Sequence, residues 1–143
     1  MPFSNTYSEA TPMSVPCEIA VKCVLPVVRA MIAKHLMIEH KLKQIDIAQL
    51  LGVSQPAVSL YHRNMRGNAI DVEDDRDVRV LVVHAAESLV LGKISHKELI
   101  QIYCEICRAI RAKGSLCKLH KAFDPGMDIE KCELCRVSSS ARC

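Results

Sequence analysis

Tryptophan is absent from this 143-residue chain, and only three Tyr and two Phe stand in for it. An aromatic-built core is excluded, so aliphatic side chains must fill the interior. No uncharged apolar run approaches the roughly 20 residues needed to span a bilayer, because Lys22, Arg29 and Lys34 interrupt the most hydrophobic early stretch. Charge of one sign is lacking too. The formal net charge of +3 is too small to announce a polyanion partner, so any nucleic-acid reading has to rest on a motif or a local patch.

Residues 1–14 carry no basic start followed by an apolar stretch, so no secretory signal is read there. They are rich in Ser, Thr, Pro and Asn and are expected to be a disordered extension, with Met13 an alternative start. A soluble, cytoplasmic protein is the expectation.

Cysteine is what the chain has in excess, eight residues at 17, 23, 104, 107, 117, 132, 135 and 143. In a reducing compartment such usage points to metal ligation or thiol chemistry more than to disulfides, hyperthermophiles excepted. Cys104 and Cys107 stand three apart on a predicted helix, so both thiols project from one face. Cys132 and Cys135 repeat the pair in a segment read as irregular, and Cys117 with His120 stands between them. Paired Cys-x2-Cys repeats are a strong signal for a four-coordinate zinc site or an iron–sulfur cluster. The metal candidates are Cys104, Cys107, Cys117, Cys132 and Cys135. The sequence leaves open which four bind, and whether iron–sulfur or zinc. His120 reads equally as a ligand or a solvated loop histidine. Cys23 reads as a core residue, and Cys17 and Cys143 are set outside the array.

The apolar pattern predicts an all-α chain. Ile19, Cys23, Val24, Val27, Met31, Ile32, His35 and Leu36 recur at helical spacing, with Pro26 dividing a short leading turn from a main helix running to about His40. Short helices are expected over 44–51 and 54–64, a longer one over 74–91 ending at Gly92, and another over 95–113 opened by a capping box of Ser95 and Glu98. The acidic run from Asp71 to Asp77 is read as complementing a helix start. Three units follow: 15–68, a helical region 69–113, and a cysteine-rich tail 114–143 that is too polar to build its own core and needs a metal cross-link.

Within the first unit, each fixed position from Gln44 to Tyr61 has a steric reason. Ala48 is small where a second helix crosses, Gly52 permits a positive φ, Val53 plugs the junction, Ser54 caps the next helix, and Val58 and Tyr61 face inward. The segment resembles the Cro/repressor-like helix-turn-helix family. The resemblance implies that Ser54, Gln55, Ala57, Ser59 and Arg63 lie on the exposed face of a recognition helix, with Gln44 at backbone phosphate. Gln55 would read adenine, Arg63 guanine or phosphate, and Arg66 and Lys43 would lie nearer the backbone. Between Lys34 and Arg66 five basic residues face two acids, a local excess that suits DNA.

A narrower resemblance runs from about 15 to 136. It is carried by Pro16-Cys-Glu-Ile-Ala-Val-Lys, Leu51-Gly-Val-Ser-Gln-Pro-Ala-Val-Ser, Ile102-Tyr-Cys-Glu-Ile-Cys-Arg-Ala-Ile-Arg and Leu116-Cys-Lys-Leu-His. These look like a family of small archaeal regulators that join a Cro/repressor-like domain to a cysteine module. It implies a sequence-specific transcriptional regulator, repressor or activator, whose module carries an iron–sulfur cluster as a redox or iron sensor. A zinc site that only holds the tail is the alternative. Homodimerisation through 74–91 and 95–113 and a double-stranded DNA operator as partner are expected with it. An enzyme using the Cys-x2-Cys pairs as a thiol–disulfide couple is disfavoured, because no thioredoxin-like alternation of strands and helices surrounds them.

Overall fold

The computed structural model describes residues 14–137. The extension expected over 1–14, but for Ser14, and the spare Cys143 lie outside them. The described chain is all-helical, with no strand among those residues. Its elements are α1 (Pro16–Ile19), a π-helical stretch (Ala20–Val24), α2 (Leu25–Glu39), α3 (Gln44–Leu51), α4 (Gln55–His62), α5 (Arg76–Val90), α6 (His96–Ala112), α7 (Cys117–Phe123) and α8 (Leu134–Val137). No helix is long and apolar enough to cross a membrane.

Pro26 acts as its position suggested. A proline in a helix removes one backbone donor and crowds the carbonyl four residues back. The chain relieves both by widening into a π turn, where the Leu25 N–H reaches Ala20 O, before α2 starts with proline in its first turn. Helix α2 is the central element, packing on α3, α4, α5 and α6. Its Val27, Val28, Ala30, Ile32, Ala33 and Leu36 are all buried. The core is aliphatic, with Tyr61 its one fully buried aromatic among the described residues. Each buried Ile, Leu or Val contributes about 1.5–3 kcal/mol.

Helices α3 and α4 meet at a short turn. Gly52 takes a left-handed φ of 65° at the end of α3, and Ser54 Oγ accepts the Ala57 N–H at 3.3 Å to open α4. Ala48, Val58 and Tyr61 are buried where the two helices close on α2. Helix α4 stops at His62, two residues short of the expected end. Met65 N–H returns to Leu60 O in a capping turn in which Asn64 takes a positive φ.

Helix α6 begins with the reciprocal bonds between Ser95 and Glu98, and Leu99, Ile102, Ile106 and Ile110 form its buried stripe. Its far end is tied to the start of α5. Asp75 caps α5 through the Asp77 and Val78 N–H groups, while Lys113 Nζ donates to Asp75 at 2.8 Å and to Asp77 at 2.7 Å. The acidic run is therefore a cap and a clamp. The bond from Lys113 holds the Asp75 carboxyl below its ordinary pKa, and the Lys113 ammonium is raised by the bonds it donates to Asp75 and then Asp77. A depressed carboxyl stabilises the fold above its ordinary pKa and loses that contribution in acid; a raised ammonium stabilises below its ordinary pKa and loses it in strong base. Lys113→Met is expected to lower Tm at neutral pH, with the gap to wild type closing below about pH 4. A gap that persists unchanged at low pH in a thermal-melt series would contradict the clamp.

Candidate functional site

Two groups of residues carry the chemistry. On the α3–α4 face, Gln55 Nε2 donates to Gln44 Oε1 at 2.8 Å, so two candidates 11 residues apart touch. The bond uses one Gln55 N–H and fixes the side chain. It leaves the second N–H and Oε1 as an adjacent donor and acceptor, the pair that adenine presents a complement to in the major groove. Lys43, Ser54, Gln55, Arg63 and Arg66 are exposed, and Gln44 and Ser59 are half-buried. Lys43 is the residue before α3 and its side chain makes no cap to that helix. The Arg66 guanidinium lies 5.9 Å from the Tyr61 ring centre, which holds it against the end of α4.

Ala57 departs from the expected exposed face. It is 6% exposed, because the first turn of so short a helix lies flat on the core and its methyl packs inward. Arg63 departs in element only: it sits on the turn capping α4 rather than in the helix.

The second group is the cysteine region. The tail is more helical than its polar sequence suggested, since Cys117 opens α7 and Cys135 lies in α8. Helix α7 packs on α1 and α8 on α6, but little of the segment is buried there, and Leu134 of α8 stays exposed. Cys117, His120, Cys132 and Cys135 line one small cavity, closed by Leu116, Met127 and Ile129. His120 is not a solvated loop residue. It is 4% exposed, and its Nε2 lies 2.7 Å from the Ser14 carbonyl oxygen. As donor to that oxygen, Nε2 leaves Nδ1 as the basic nitrogen, the arrangement by which a second partner orients a ligating histidine.

Cys104 and Cys107 line an adjoining cleft with Cys17. Arg111 joins cavity to cleft. Burial opposes its charge, but its hydrogen bond to Cys135 and the attraction of Cys135, Cys17 and Cys107 outweigh this and raise its pKa. Cys17 is the residue that sequence reasoning set aside. No local spacing ties it to the tail, and only the packing of α1 on α7 brings it there.

Three cysteines and a histidine line one cavity and two further cysteines one helix turn apart line the cleft; among the described residues, no three of their ligand atoms stand within 4.8 Å of one another, so one ion would have to draw them closer. Comparison with protein-family models, curated proteins and solved structures finds no match.

Proposed function

We propose that this chain is a sequence-specific DNA-binding transcriptional regulator that works as a homodimer and carries a cysteine-bound metal centre. The observation that supports DNA binding best is the Gln44–Gln55 bond at the start of α4. It presets a reading side chain on the exposed end of a capped helix, with Lys43, Arg63 and Arg66 around it for phosphate. Helix α4 is then the recognition helix of a helix-turn-helix, and α3 crosses the backbone before it. Dimerisation is supported by α5, where Val80, Val83, Val90 and Leu91 are left exposed, and by Ile100 on α6. An apolar strip of this kind is the usual mark of a partner surface. Two recognition helices would read half-sites about one helical turn apart.

For the metal centre, Cys117, Cys132 and Cys135 are three ligands. The fourth in the iron–sulfur reading comes from Cys104 and Cys107, one helix turn apart on α6 in the cleft. When bound, such a cluster supplies reversible redox chemistry and sensitivity to iron. Arg111 would hold Cys135 in place and keep the site electropositive. A zinc reading is favoured by one observation, the buried His120 whose Nε2 is taken by Ser14, making Cys117, His120, Cys132 and Cys135 the set.

Fluorescence anisotropy on a duplex selected from random sequence tests the DNA reading. Gln55→Ala is expected to weaken binding tenfold or more and to relax preference at one base pair, since a two-bond base contact contributes about 1–3 kcal/mol of discrimination. Lys43→Ala should weaken all duplexes alike and lower the salt slope by about 1. Unchanged binding in both variants would remove α4 as the reader.

A further inference from the structure

We propose that His35, His40 and Glu87 form a site for a divalent transition-metal ion, separate from the cysteine centre. His35 Nε2 and His40 Nε2 each lie 2.8 Å from the same oxygen, Glu87 Oε1. Their ligand atoms all fall within 4.8 Å of one another, and among the described residues this is the group so assembled.

The backbone builds this convergence. His35 lies on α2 and His40 is the residue that caps it. The chain there closes a tight turn, with the His40 and Leu42 N–H groups both reaching Leu36 O and Lys41 in a left-handed conformation at φ 54°. That turn swings the His40 ring beside the His35 ring, their centres 6.0 Å apart. Glu87 comes from α5, which packs along α2. All three residues are half-buried, so the site is shaped by protein yet reachable from solvent.

Two imidazole N–H groups donating to one carboxylate oxygen is a crowded use of donors. With each ring's proton on Nδ1 instead, one doubly charged ion could take the two Nε2 nitrogens and the oxygen together. Two imidazoles and a carboxylate suit zinc, nickel or ferrous iron and leave further positions for water. Calcium and magnesium, which want oxygen ligands, are excluded by the same set. A bound ion would pin α2 to α5, the joint between the α3–α4 unit and the exposed apolar strip.

The test is equilibrium dialysis of the full chain against micromolar free Zn2+, followed by metal analysis. Wild type is expected to hold one more zinc per chain than His35→Ala, His40→Gln or Glu87→Gln, while His62→Ala, an exposed histidine off the site, matches wild type. Zn2+ should also raise the Tm of wild type and not that of Glu87→Gln, whose carboxamide keeps the shape of the side chain should His35→Ala fail to fold. Equal zinc content in wild type and Glu87→Gln, with the same Zn2+-dependent rise in Tm, would overturn the assignment.

Discussion

Gly67→Ala should be the most damaging single-methyl change in the helical core, lowering stability by about 3 kcal/mol or more. Gly67 holds a φ of +76°, and a Cβ built on it would stand 2.6 Å from both Ala30 Cβ and the Pro26 carbonyl oxygen. Neither neighbour can retreat. Ala30 is a rigid methyl on α2, and Pro26 O is backbone of the first turn of the same helix. Gly52→Ala is the informative partner, because its φ of +65° is equally left-handed but nothing lies within 4 Å of the new Cβ. It should cost only the conformational term, about 1–2 kcal/mol. Thermal melts should separate the two variants by several degrees, at about 2–4 °C per kcal/mol for a chain of this size. Equal losses would mean that the loop after α4 does not seat on α2 as described.

Loss of the metal centre should have a still larger, but local, effect. The double variant Cys132→Ser/Cys135→Ser is expected to lack the metal we propose for the cysteine cavity and to become sensitive to trypsin at Lys118, Lys121 and Lys131. Those lysines are exposed. Between 115 and 135 only Leu116, His120 and Asp124 are buried, too little apolar burial to hold two short helices without a cross-link. Structural zinc in small modules supplies about 10–16 kcal/mol of folding free energy, so removing a centre of that kind should release the segment outright. Helices α2 to α6 keep their own core and should remain folded. Unaltered trypsin resistance and metal content in the double variant would show that these cysteines are ordinary packed thiols.

Legibility in the sequence followed the range of the interaction. Helix α6 announces itself because its cap, its apolar stripe and its stop all lie within one segment. The α3–α4 turn does so because Gly52 and Ser54 each answer a local backbone demand. Ala57 was misplaced because a small residue just after a cap suits either face, and only the tilt of α4 against α2 decides. Helix α7 is seven residues long, shorter than two full turns of repeating pattern, and is stabilised by α1 rather than by its own periodicity. Long-range groups were invisible. His35 and His40 reach Glu87 across 52 and 47 residues, and Cys17 joins the tail only after α1 folds onto α7. His35 in particular read as one more member of an apolar stripe, since spacing reports the face a residue occupies and not what it meets there.

DNA recognition by α4 is tested most directly by selection of bound duplexes from a random library by the full chain. The predicted result is an enriched two-fold symmetric motif whose half-sites lie about one helical turn apart, with affinity falling steeply as salt rises and enrichment at an adenine lost in Gln55→Ala. Recovery of unenriched sequence, bound no better by wild type than by Gln55→Ala, would contradict it.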